Sequence, residues 1–151
     1  MGRFSASNSS VPKLQATAGI QSDMYSATPT SDGTGTGAIP TGASIVGIAS
    51  NGGSTDNIVT LPTYNAGDII TISVAFQCEL RTPIASSITT INGVDMDNGS
   101  AAVKELQLDA GGIYKCVAIG QNPGTSKLQW MVSEFNSGDG TVGTGGTPAG
   151  V

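Results

Sequence analysis

Acids are the residues of this chain best able to do chemistry. Glu79, Glu105, Glu134 and Asp68 could supply the two carboxylates that glycoside hydrolysis requires, one as acid and one as base or nucleophile. A sugar site also favours an aromatic platform, and the chain holds one Trp, three Tyr and three Phe. It has no histidine. That removes the usual general base, the serine triad and the commonest zinc ligand. Acids scattered along strands ordinarily face solvent, so no catalytic residue is expected.

Other constellations fall short in the same way. Asp95-Met96-Asp97-Asn98-Gly99 resembles a calcium loop, but in that motif the glycine stands sixth and a glutamate twelfth. Here the glycine is fifth and no glutamate follows at the required place. A polar turn is expected there, with calcium at a subunit boundary left open. The run Gly33-Thr34-Gly35-Thr36-Gly37 lacks the Lys-Ser/Thr ending of a phosphate loop and reads as a linker. Cys78 and Cys116 are too few for a metal knuckle and read as small core residues. Arg81, close to Glu79 and Pro83, reads as a strand-end ion pair at a surface or interface. No cofactor-binding or metal-ligating residue is expected.

Charge excludes further classes. Among 151 residues only six are Lys or Arg, and the net charge is −5. An acidic chain with so few cations cannot hold a phosphate backbone, so no nucleic acid partner is expected. No apolar run approaches the roughly 18 residues of a membrane helix, so no membrane partner is expected. The opening Met1-Gly2-Arg3-Phe4 carries no apolar stretch of export-signal length, and Ala6 argues against myristoylation. Synthesis in a reducing cytosol, with both thiols free, is the expectation.

The elements that would position these residues are strands. Asp68 to Phe76 reads D-I-I-T-I-S-V-A-F, with Ile70, Ile72, Val74 and Phe76 on one face. Further strands are predicted near 58–61, 68–78, 86–91, 103–108, 113–119 and 127–133. Turn signals separate them at Asn65-Ala66-Gly67, Asn92-Gly93, Asn98-Gly99, Asp109-Ala110-Gly111-Gly112 and Asn122-Pro123-Gly124. Leu106 and Leu108 alternate, as do Ile113, Val117 and Ile119, and Leu128, Trp130 and Val132, which marks them as core. Lys115 interrupts the second set, so Tyr114, Cys116 and Ala118 are the alternative inward face.

The predicted fold is all-β: a small antiparallel β-sandwich or jelly-roll-like module over residues 57–135. An extended N-terminal arm over 1–56 and a flexible Gly/Thr-rich tail over 136–151 flank it. The arm scatters its apolar residues singly and holds too few to offset its backbone entropy. About 40 extended residues reach roughly 130 Å, far enough to touch several neighbouring subunits. A module of roughly 80 residues is small for independent stability, which favours trimers or rings.

From Ile58 onward the chain resembles a module common in tailed-phage virion proteins: capsid decoration (cement) proteins, head fibres and some tail-fibre tips. The matching frame is Val59-Thr60-Leu61-Pro62, Gly67-Asp68 before the long apolar strand, then Pro83 and Ile91-Asn92-Gly93. Leu106 to Leu108, Ala110-Gly111-Gly112, Cys116 and Trp130 complete it. The resemblance covers about half the chain and leaves out the leading arm. It implies a β-sandwich or jelly-roll-like module, often trimeric, with no catalytic residues. It also implies a virion structural protein on the capsid surface, made in the host cytoplasm. The partners are then the major capsid protein and neighbouring copies in a homotrimer. The rival expectation is a fibre or tail tip that binds a host receptor or glycan, which the poverty in aromatics disfavours.

Overall fold

The structure is a computed structural model, and it describes residues 24–63, 66–83, 89–95, 104–121, 128–137 and 149–150. Among the described residues eleven strands run in chain order: β1 Tyr25–Ala27, β2 Ile45–Ile48, β3 Ile58–Thr60, β4 Ile69–Val74, β5 Cys78–Arg81, β6 Thr89–Ile91, β7 Val94–Asp95, β8 Lys104–Leu108, β9 Gly112–Gln121, β10 Leu128–Ser137 and β11 Ala149–Gly150. They form a seven-stranded sheet ordered β1-β2-β4-β9-β10-β6-β7 and a four-stranded sheet ordered β11-β8-β5-β3. The inner faces of both sheets build one apolar core, as in a sandwich.

The β4 pattern explains the centre. Ile70, Ile72 and Val74 are buried while Ile69 and Ser73 face outward. In β9 the inward set is Tyr114, Cys116 and Ala118. The face of Ile113, Val117 and Ile119, read as core, is therefore the outer one, and Lys115 lies on it. A one-residue shift in parity exchanges the two faces, and both faces of β9 are apolar enough to read as core. Trp130 and Val132 of β10 are buried as expected.

Three elements differ from the sequence reading. The sheets are mixed: β1 with β2, β2 with β4, β3 with β5 and β6 with β10 pair in parallel. The stretch read as one strand over 68–78 is two. β4 ends at Val74, Ala75 and Phe76 bend, and Cys78 opens β5 in the other sheet, leaving Phe76 51% exposed. The expected tail also begins inside the fold, since β10 continues to Ser137 and β11 pairs with β8.

Residues 24–56, expected in a free arm, are built into the sandwich. β1 and β2 extend the seven-stranded sheet beyond β4, and Ala27, Ile39, Val46 and Ile48 join the core. Parallel pairing with a distant strand supplies the partner that local pattern lacks. The Asn92-Gly93 turn closes the β6–β7 hairpin with φ of 51° and 81°, as the sequence predicts. The Asn92 side chain also bonds the β10 backbone, accepting from Val132 N–H at 2.7 Å and donating to Val132 O at 3.0 Å. Asn98-Gly99, Asn122-Pro123-Gly124 and residues 1–23 lie outside the described residues.

Candidate functional site

Alternation places Glu79 and Arg81 of β5, and Glu105 and Gln107 of β8, on the outer face of the four-stranded sheet, since Cys78, Leu80, Leu106 and Leu108 point into the core. Cross-strand register then sets Arg81 beside Glu105. Their side chains meet at 3.7 Å, each only 6% exposed. Glu79 lies diagonally across the β5–β8 pair from Glu105. Burial foremost, then Glu79, pushes the Glu105 carboxyl up to about 8, and Arg81 only partly offsets this. Arg81 was read as a surface or interface pair; it is instead a buried one.

At its Arg81 end this face is covered by the chain itself. Ile58 N–H donates to Thr30 O at 2.8 Å, Thr30 N–H returns to Ile58 O at 3.1 Å, and Ile39 N–H reaches Thr60 O at 2.9 Å. The loop from Thr30 to Ile39 thus closes the exposed edge of β3. Gly33 sits at φ 67°, so close that a β-carbon there would lie 2.3 Å from Thr60 Oγ1 and 3.2 Å from Arg81 Nε. Asp32 ties the loop internally, accepting from Thr34 N–H at 3.1 Å, Thr34 Oγ1 at 2.9 Å and Thr30 Oγ1 at 3.1 Å. The Thr34 bonds foremost hold the Asp32 carboxyl below its usual range. Between this loop, Leu61–Thr63, Arg81 and Pro83 lies a cleft of about 470 Å³, mostly apolar with threonines at its rim.

The structure therefore brings two of the four candidate acids together. The pair is Glu79 and Glu105, and Glu105 is engaged by the buried Arg81. Glu134 lies at the inner face of β10, where it contacts the Tyr114 hydroxyl. That hydroxyl accepts from Asp109 N–H at 2.6 Å, and burial pushes it up to about 12. Asp68 stands at the entry to β4, in the other sheet from Glu79 and Glu105. Cys78 and Cys116 are free and buried, each thiol pushed up to about 12 by desolvation. Among the described residues no three His, Cys, Asp or Glu side chains converge as a metal site, and no helix is long and apolar enough to cross a membrane.

The outer face of the seven-stranded sheet is of the opposite character. Ile45 of β2, Ile69 of β4, Ile113 and Ile119 of β9, and Met131 and Phe135 of β10 all stand on it and are exposed, at 37–55%. Met24, 62% exposed, lies across Gly47, where a β-carbon would meet its Sδ at 2.8 Å. Register aligns Thr71, Lys115 and Ser133 across the middle. On the β2, β4, β9 and β10 part of this face Lys115 is the one charged side chain among the described residues. The signal was present in the sequence as the second apolar face of β9, but it passed for core.

Comparison with known protein families, with curated proteins and with solved structures finds no match to this chain.

Proposed function

We propose that the chain is a structural protein of a tailed-phage virion that decorates and cements the outside of the capsid. It acts without catalysis, as a homo-oligomer whose partners are the major capsid protein and neighbouring copies. One observation carries the reading: a broad apolar sheet face, nearly free of charge, left open on a compact β module. Large exposed apolar patches mark surfaces that assembly covers. The sequence resemblance supplies the virion setting.

In this reading residues 1–23 remain as the lattice tie. They carry Phe4, Val11, Leu14 and Ile20, and extended they reach roughly 75 Å. Weak contacts of such a segment gain strength because the docked module holds it near its next site. The test is co-sedimentation with undecorated capsids of the virus that encodes the chain. Deletion of residues 2–23 should abolish binding and leave the melting temperature of the module unchanged. The deletion must stop there, because Ala27 and Ile39 belong to the core. Full binding by the truncated chain would remove the arm from the mechanism.

A second reading, a fibre or tail tip that binds a receptor or glycan, is favoured by the cleft beside Arg81 and its threonine rim. Binding on a glycan array that Thr34→Trp abolishes would promote it over decoration.

A further inference from the structure

We infer that the outer face of the seven-stranded sheet is a self-association surface, occupied by the same face of a second copy of this chain. The inference deepens the assembly reading and rests on it only for the setting, since the contact forms between copies in solution. Charge selects the occupant. The chain carries −5 overall, so two copies repel across most approaches. Of the acidic side chains described, Asp32, Asp56 and Asp109 lie in loops, Glu79 and Glu105 on the other sheet and Glu134 inward, while Asp68 stands at the entry to β4 beside Ile69. A face-to-face contact therefore keeps most of these acids apart. A basic partner would be drawn to those loops instead, and an anionic one would find Lys115 alone.

Size limits the strength of that contact. Four strands at about 4.8 Å and about six residues at 3.3 Å give a footprint of roughly 400 Å², before the relief of its side chains is added. A standard contact takes about 800 Å² per partner. The face thus supports a modest, concentration-dependent association in which the same residues serve both sides. The centre of the contact has hydroxyls at Thr71 and Ser133 flanking Lys115, so the lysine retains polar neighbours when the apolar residues around it are covered.

The experiment is sedimentation equilibrium of the full chain across micromolar concentrations, with Ile69→Lys, Ile119→Lys and a control, Thr41→Lys, on the exposed cleft rim. The wild type and the control should assemble. Both face variants should be monomers at least tenfold weaker in association, with Cys78 and Cys116 still unreactive to thiol reagents. A monomeric wild type throughout, or face variants that assemble as the wild type does, would overturn the inference. If a lysine variant exposes its thiols, Met131→Gln, which adds no charge, decides. At least threefold weaker association supports the surface, and unchanged association refutes it. An assembled wild type that ignores capsids leaves this surface standing and sinks the virion reading; a monomer that binds capsids does the reverse.

Discussion

The two outer faces of this sandwich invert the ordinary rule. The four-stranded sheet turns an arginine and two glutamates outward, buries Arg81 and Glu105, and closes the loop from Thr30 to Ile39 over Arg81. The seven-stranded sheet turns isoleucines, methionines and a phenylalanine outward and leaves them open. A sheet face exposed for good is ordinarily polar, and a covered one apolar. The difference teaches where each partner is. The charged face has its cover, over Arg81, in the same chain. The apolar face has no cover among the described residues, and its chemistry suits one that arrives from outside.

The sharpest way to break the contrast is to remove the buried cation. At pH 9, where the Glu105 carboxyl is ionised, Arg81→Ala leaves it in low dielectric with no counter-charge. The expected loss is about 3 kcal/mol of folding stability, read by urea denaturation. An equal truncation on the open face, Ile119→Ala, should cost under about 0.5 kcal/mol. Equal losses would mean the two faces are equally covered.

Sequence reading reached one of these faces only in part. β4, β9 and β10 are legible because long β-branched alternation has few structural alternatives. Which side of β9 points inward was not legible, because Ile113, Val117 and Ile119 are as apolar as Tyr114, Cys116 and Ala118. β1 was hidden for a different reason. Tyr25-Ser26-Ala27 has no period of its own, and only parallel pairing with Val46, Gly47 and Ile48 makes it a strand. The Arg81–Glu105 pair needs the β5–β8 register before it can be seen, and no local signal encodes that register. The Asn92-Gly93 hairpin was legible outright, since the turn residues themselves demand its geometry.

A smaller loss is expected at the cover. Gly33→Ala puts a methyl group against Thr60 Oγ1 at a positive φ, and the loop must lift from Arg81. About 2 kcal/mol is expected, from strain and overpacking together. Gly35→Ala, also at positive φ but with open space around it, separates the two causes, because it suffers strain alone. Equal effects from both would deny that Gly33 is held against the charged face.

Proton linkage sharpens the comparison further, since only the covered face titrates this way. The Glu105 carboxyl, ordinarily near 4.5, titrates near 8 in the folded chain. Between those values the folded state holds a proton that the unfolded state has released. Stability is therefore fully present below about pH 4.5 and drains away as pH rises through about 8, with a slope of at most about 1.4 kcal/mol per pH unit. Asp32, held low by its threonine donors, acts in the opposite sense: its contribution is present above its ordinary 3.8 and is lost as pH falls further. Thermal melts from pH 5 to pH 9 should slope downward for the wild type and flatten for Glu105→Gln. A flat wild-type profile would place Glu105 in contact with water.

The smallest effect on the isolated fold is expected on the open face, and there dilution supplies the discrimination. Ile119→Thr keeps the β-branch and sheds apolar surface, so at nanomolar concentration its stability should match wild type within about 0.5 kcal/mol. Raising the concentration should change that. A contact made only by folded copies stabilises by mass action, so the wild-type melting temperature should climb with concentration. Ile119→Thr should climb less, because the surface that couples the copies is weaker. The same series on Gln107→Thr, on the covered sheet, should track the wild type throughout. Parallel curves for all three chains would mean that no partner of this kind meets the apolar face, and the inversion between the two sheets would then be a property of the single chain alone.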